Sequence, residues 1–448
     1  MAKKRKTLPP EERLQAALVP EGEQPYPVPG KWCWVRLGLL LQSSKEKTEE
    51  FSDVDLKYVG LEHMQKDGGI VAYDSAEGVK SLKNVFHPQQ ILYGKLRPYL
   101  NKHDIVTFDG VCSTDILVFN IAAVTIPKFV NFFLDQDTFI EYTVSNSKGI
   151  NLPRVSESVV LNAKCPLPPF AEQQRIVDRI ENLFAKLDEA KQKAQDALDS
   201  FETRKAAILH KAFTGELTAK WRAEHGVGMT SWNSTTLAQV VSGFKYGTSE
   251  KSDYNNTGMP VLRIPNVGDG YVDFSDMKYL NHSDVDEESQ IHEGDILIIR
   301  SNGSRDLVGK SVLVPKLDRP HAYASFLIRI KPSDIVKAEY LTLYLNSTDA
   351  RSQMFRKAKS SAGINNINSK ELGAIFMTLP SVLEQNEIVR ILDSLFAKEQ
   401  QSKEAAEVVL EKIDLLKKSI LARAFRGELG TNDPTEESAL ELLKQVLQ

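Results

Sequence analysis

The stretch GSRDLVGKS, beginning at Gly303, holds the glycines, lysine and serine that can cradle a nucleotide phosphate. Five residues lie between its glycines where a phosphate loop requires four, and the next segment, SVLVP from Ser311, is β-branched and closes on Pro315. It reads as a strand where such a loop demands a helix. A DNA amino-methyltransferase needs Asp, Asn or Ser ahead of Pro-Pro-aromatic to accept the target amine. The nearest match is LPPF at Leu167, whose leucine accepts nothing, and no glycine-rich strand–turn–helix for a nucleotide-like cofactor accompanies it. The eight histidines include no pair at helical metal-ligand spacing. Cys33, Cys112 and Cys165 stand apart, outside any CxxC spacing, as free buried thiols in a reducing compartment do. The acid-rich DVDEES from Asp284 has the composition of a solvated loop. No catalytic residue, bound cofactor or metal is therefore expected in this chain.

The chemistry that remains is recognition. YGKLRPYLNK offers Tyr93, Lys95, Arg97, Tyr99 and Lys102, and RSNGSR offers Arg300, Ser301, Asn302, Ser304 and Arg305. Arginine pairs bidentately with guanine and asparagine with adenine, and lysine meets phosphate, so these are the residue types that direct readout of a duplex needs. A second pair of segments, SNSKGINLPR from Ser145 and SSAGINNINSK from Ser360, adds Lys148 and Asn151 to the first set and Lys359, Asn365 and Asn366 to the second. Arg351, Arg356 and Lys357 precede the latter. Gly149 and Gly363 allow close backbone approach there, and serve equally well as a turn ahead of a strand.

Loops of this kind need a scaffold, and the chain repeats one. LPPFAEQQRIVDRIENLFAKLDEA starts at Leu167 and LPSVLEQNEIVRILDSLFAKEQQS at Leu379, 212 residues later. Glu172, Gln173, Ile176, Val177, Leu183, Phe184, Ala185 and Lys186 recur as Glu384, Gln385, Ile388, Val389, Leu395, Phe396, Ala397 and Lys398. The same offset relates KAAILHKAFTGEL at Lys205 to KKSILARAFRGEL at Lys417, and ILYGKLR at Ile91 weakly echoes ILIIRSN at Ile296.

Both repeated segments read as long helices. Ile176, Ile180, Leu183, Leu187, Ala190, Ala194, Ala197, Phe201 and Ile208 step alternately by four and three, broken at Arg204. Ile388, Leu392, Leu395, Ala406, Val409, Ile413, Leu416 and Ile420 do likewise, with Glu399 and Ser402 interrupting. That 3.5-residue period is the coiled-coil signature. Pro168 and Pro169 suit a helix start, Ser381 with Glu384 has capping-box spacing, and Gly215 and Gly427 stop the helices after last turns containing Lys211 and Arg423. A helix from Pro169 to Phe213 would run about 66 Å.

The expected organisation is an N-terminal extension at 1–29, a globular domain at 30–166, a long helix at 167–217, a linker at 218–230, a second globular domain at 231–378, a second long helix at 379–429 and a tail at 430–448. VTFDGVCSTDILVF from Val106 reads as strands and YLTLYLNSTDARSQMF from Tyr340 as helix. The fold class expected is α+β, with two globular domains and two helices packed as an antiparallel coiled coil in pseudo-twofold symmetry. At 448 residues the chain is long enough for two cores. Its net charge of -4 advertises no nucleic acid, so a DNA surface has to be local. The opening MAKKRKTLPPEERLQ is basic with no apolar stretch behind it, and the longest apolar run, near Leu37–Leu41, is far below the roughly 20 residues that span a bilayer. A cytoplasmic protein is expected.

Two differing domains, each followed by a near-identical helix entered through EQ, IV and LFA and closed by AF-x-GEL, resemble the specificity subunits of type I restriction-modification systems, the HsdS family. The similarity extends to the opening PEERLQAALVPEGEQPYPVPGKW and the closing NDPTEESALELLKQVL. It implies that each domain is a target recognition domain reading one half of an asymmetric bipartite DNA site, while the helix pair sets the gap. It also implies that two methylation subunits bring S-adenosylmethionine, and that restriction subunits add ATP- and Mg-dependent translocation and cleavage, so that this chain itself is not an enzyme. The alternatives are a single-chain methyltransferase or nuclease, whose motifs are missing, a coiled-coil adaptor that does not bind DNA, and a specificity subunit working without restriction partners.

Overall fold

Short β-branched and aromatic runs form the sheets of the structure, a computed structural model that describes residues 10–447 apart from 51–55, 78, 80, 256, 269, 284 and 362. The basic start at 1–9 and Asp284 of the acid-rich loop lie outside the described residues. The chain divides into two units, Met1–Ala194 with Val408–Gln448, and Gln195–Glu407. Each unit takes the beginning of one long helix and the end of the other.

In the first unit a four-stranded antiparallel sheet runs Leu41–Ser43, Ile116–Ile121, Ile91–Gly94, His103–Ile105. In the second, Val241–Tyr246, Leu327–Pro332, Ile296–Ile299 and Ser311–Leu313 follow the same order, again antiparallel throughout. The weak echo between ILYGKLR and ILIIRSN thus marks equivalent strands. Both are continuous apolar runs buried at all four positions, as strands covered on two faces must be. Ile91 and Tyr93 join a core with Phe129, Phe133 and Phe139 from the helices Pro127–Leu134 and Asp137–Ser145, while Leu92 faces the opposite way onto Val59 and Phe86. Ile296 and Ile298 likewise meet Tyr340, Tyr344 and Met354 of Ala338–Leu345 and Thr348–Lys357, and Leu297 and Ile299 turn to a separate core. Each fully buried side chain of this size contributes roughly 1.5–3 kcal/mol. The segment SVLVP enters the sheet as the strand Ser311–Leu313.

A two-stranded ribbon closes each domain and hands the chain to a long helix: Cys33–Arg36 pairs with Lys164–Leu167, and Asn233–Thr236 with Phe376–Leu379. The second helix is continuous over 44 residues, Val382–Phe425. The first differs from the expected unbroken rod. It forms Phe170–Asp199 and Phe201–Phe213, interrupted at Ser200, whose hydroxyl donates to the carbonyl oxygens of Asp196 at 2.7 Å and Ala197 at 3.3 Å. A serine bonding back to the preceding turn competes with the helical ladder, which the apolar period does not reveal.

Within each unit the helix segments run antiparallel. In the first, Lys417 pairs with Asp188 at 2.6 Å while Leu421 and Phe425 pack with Ile176 and Ile180. In the second, Arg204 donates to Glu399 at 2.9 Å, Lys403 lies 5.2 Å from the Phe201 ring centre, and Leu209 packs with Ile388 and Leu392. The polar breaks at Arg204 and Glu399 are therefore each other's partners. Val409 and Leu416, expected in the seam, are 39% and 48% exposed, so the buried stripe keeps only Ala406 and Ile413 there.

The repeated Glu-Gln pair fastens each helix to its domain. Gln173 accepts from Thr125 Oγ1 at 2.8 Å and donates to Val124 at 3.0 Å; Gln385 accepts from the Lys337 amide at 2.8 Å and donates to Ile335 at 3.0 Å. Glu172 accepts from Trp32 Nε1 at 2.9 Å, Thr431 at 3.0 Å and Asn432 at 2.7 Å. Glu384 accepts from Trp232 Nε1 at 2.9 Å and from Thr218 and Arg222, both at 2.6 Å. Only half of the expected capping box forms, with the Glu384 amide 3.4 Å from Ser381 Oγ, because the carboxylate is drawn to these partners instead. In both units the carboxylate gathers a tryptophan from the domain entrance and polar groups from the segment after the other long helix.

Candidate nucleic-acid interface

In the first unit the buried strand Ile91–Gly94 runs out into Lys95, Leu96 and Arg97. The loop after Ser145 folds back on it: the Arg97 amide donates to Pro153 at 2.7 Å and the Val155 amide to Lys95 at 3.0 Å. That loop is closed by reciprocal backbone bonds between Lys148 and Arg154 at 2.9 and 2.8 Å. Two segments some fifty residues apart in the chain thus form one surface. Arg97, Tyr99, Lys148 and Asn151 are exposed on it, Lys95 is half-buried, and Arg154 pairs with Asp115 at 3.3 Å.

The second unit makes the same juxtaposition with a sheet. Ser301–Asn302 pairs with Ile364–Asn366, which pairs with Lys359–Ser361. Ser304, Arg305 and Lys359 are exposed and Asn302, Asn365 and Asn366 half-buried. The Asn365 amide donates to Gly303 at 3.1 Å, Arg305 donates to the Phe355 carbonyl at 3.0 Å, and Lys359 lies 3.6 Å from Glu371. Arg300 is clamped: its guanidinium sits 4.7 Å from the Tyr246 ring centre and 3.3 Å from Asn366 Oδ1. It is better built to hold Asn366 and Tyr246 than to reach a base. Tyr246, 43% exposed, and Phe326, 56% exposed, join this surface unannounced by the sequence, because only strand pairing brings them beside Arg300.

Three of the expected residues are not free on these surfaces. Tyr93 is wholly buried, its ring centre 5.9 Å from that of Phe139, because its strand is covered on both faces. Ser301 is buried at the root of its strand. Lys102 is half-buried and its ammonium donates to the Leu61 carbonyl at 2.7 Å, which commits it to the domain. Gly149 and Gly363 adopt φ of +100° and +78°, so both are true turn residues as well as part of the exposed loops. The cysteines are free thiols, Cys112 and Cys165 buried and Cys33 half-buried; burial pushes the thiols of Cys33 and Cys112 up to about 12. Among the described residues no group of three or more His, Cys, Asp or Glu side chains could hold a metal ion, and no helix is long and apolar enough to cross a membrane.

Residues 229–411 match the type I restriction modification DNA specificity domain. The type I restriction enzyme EcoKI specificity subunit of Escherichia coli K12 is 30% identical over 352 residues, covering 76% of this chain and 74% of that protein. The chain belongs to the type I restriction enzyme specificity subunits. The StySPI specificity subunit of Salmonella potsdam is 27% identical over 305 residues, 68% of this chain and 65% of its own. In fold, the HsdS subunit from Thermoanaerobacter tengcongensis superposes with a TM-score of 0.67 at 23% identity, over 91% of this chain and 99% of that one. A chain from a structural study of complex assembly and conformational transition in the type I restriction-modification system superposes at 0.66 and 24% identity, over 90% and 100%. This specificity subunit is thus a DNA-sequence recognition component of a type I restriction-modification system, with the mixed helix-and-sheet fold of its family.

Proposed function

We propose that the two globular domains, residues 30–166 and 231–378, each read one half of an asymmetric, bipartite DNA site, and that the long helices set the spacer between the halves. The observation that carries this reading is the recurrence of one construction. In each unit the same strand of the same sheet delivers a basic, polar segment that is stitched to the Gly-Ile-Asn loop, while the residues on the two surfaces differ. Equivalent scaffolds with different side chains are what two unlike half-sites require.

In this reading the chain is not itself an enzyme. Two methylation subunits dock on it and carry S-adenosylmethionine, restriction subunits join through that core and use ATP and Mg, and the complex works in the cytoplasm. Lys95, Arg97, Tyr99, Lys148 and Asn151 are the contacts of the first domain, and Asn302, Ser304, Arg305, Lys359, Asn365 and Asn366 those of the second. Exposed Lys and Arg supply the phosphate contacts, and Asn and Arg the base edges.

The test is single-molecule sequencing of modified adenines in DNA from cells carrying this gene and a co-encoded methylation-subunit gene, separately and together. A gapped motif methylated only with both genes present is the expected result. Methylation from this chain alone would make it an enzyme, and no motif with both would remove half-site reading.

A further inference from the structure

Ile150 is 99% exposed, and Ile364, its counterpart in the second unit, is 52% exposed. Singly exposed apolar residues are ordinary on protein surfaces. These two are set apart by position: each follows a glycine at positive φ, each precedes an asparagine, and each stands on the loop that packs against its unit's basic segment. In the first unit the loop 149–153 is closed by backbone bonds between Lys148 and Arg154 and is bonded to the Arg97 backbone, so the apolar tip stands on the same loop surface as the exposed Lys148 and Arg97, with Leu152 also exposed and Arg154 paired with Asp115. In the second, Ile364 pairs with Ser361 in the hairpin that carries Lys359, beside the strand leading to Arg305.

An apolar tip on a surface that also exposes lysine and arginine fits poorly with water and well with a duplex. The cations meet phosphates on either side while the aliphatic group enters the groove against a thymine methyl or a base step. We propose that Ile150 and Ile364 are the apolar base contacts of the two domains, one for each half-site. This rests on the half-site reading above and adds two specificity-determining residues to it.

The test uses the complex of this chain with its methylation subunits, carrying Ile150→Ser or Ile364→Ser; neither exposed side chain supports a core. Each variant relaxes base preference in one half of the methylated motif, a different half for each. Each also lowers affinity for a duplex bearing the wild-type motif about tenfold, the loss expected for one base contact, with the salt dependence of binding unchanged because no charge is removed. An unchanged motif and affinity overturn the proposal. So does loss of co-elution with the methylation subunits on gel filtration while the free chain binds duplex normally, which would make the tips protein-docking points. Wild-type cells without any gapped motif would overturn the half-site reading itself, and this inference with it.

Discussion

Replacing Glu384 by Gln tests whether the carboxylate at the head of the second long helix holds its unit together. Glu384 and Arg222 are 1% and 8% exposed at the side chain and 2.6 Å apart, and the same carboxylate accepts from Thr218 and Trp232. Gln presents one acceptor oxygen and an N–H₂ group, so one donor loses its partner and the buried guanidinium loses its counter-charge. Breaking a buried pair from one side costs about 3–5 kcal/mol. Glu172 is the control: it accepts from Trp32, Thr431 and Asn432, none of them charged. Glu172→Gln should cost about 1–3 kcal/mol, the penalty for one unsatisfied buried donor. At about 2–4 °C per kcal/mol for a unit of this size, E384Q lowers the unfolding temperature of the second unit by roughly 6–20 °C. Scanning calorimetry of wild type and both variants measures this. Adding Arg222→Met to Glu384→Leu should recover only the part of the loss that comes from the orphan charge, because the Trp232 indole and the Thr218 hydroxyl still lose their acceptor. If E384Q and E172Q agree within about 1 kcal/mol, the buried charge pair is not what distinguishes the two units and the reasoning fails.

Arg204→Glu should destabilise the second unit, and Glu399→Arg added to it should restore about 0.5–1 kcal/mol of coupling, the range for a pair still partly open to solvent; a double-mutant cycle by urea unfolding reads it. Lys148→Ala should weaken binding of the complex to every duplex and reduce the salt slope by about 1, whereas Asn365→Ala should relax one base position and leave the slope alone; titrations at several salt concentrations separate them. Gly149→Ala should perturb its loop more than Gly363→Ala, because both residues sit at positive φ but only at Gly149 would the added carbon meet a backbone oxygen, that of Leu152, at 3.0 Å; limited proteolysis of the two variants compares the loops. Burial pushes the Glu172 carboxyl above its ordinary value despite the hydrogen bonds from Trp32 and Thr431 that oppose it. The folded chain therefore holds that proton more tightly than the unfolded one, and the stability so gained is present below the ordinary carboxylate range and lost as pH rises through the folded value. The stability gap between wild type and E172Q should narrow as pH rises above the ordinary carboxylate range, and a constant gap in calorimetry would contradict the shift.

The sequence by itself determined what depends on neighbours along the chain. The repeat at one offset, the 3.5-residue period, the prolines and glycines at helix ends and the β-branched strand after the false phosphate loop are local patterns, and each appears as a helix or strand at that place. The echo between the runs at Ile91 and Ile296 was enough to mark equivalent strands, because a strand covered on both faces must be continuously apolar. Tertiary structure decided what depends on partners distant in sequence. Tyr93 could be read as a contact because its type suits one; only the helices packed over its strand turn it into core. Arg204 and Glu399 look like separate flaws in two apolar stripes until antiparallel register sets them face to face. Glu172 and Glu384 read as helix-entry residues, and their tryptophan and threonine partners arrive from segments more than a hundred residues away. The exposure of Ile150 and Ile364 has the same origin: a Gly-Ile-Asn sequence is equally suited to core or surface, and it is the stitching of its loop onto a distant basic segment that leaves the isoleucine standing in solvent.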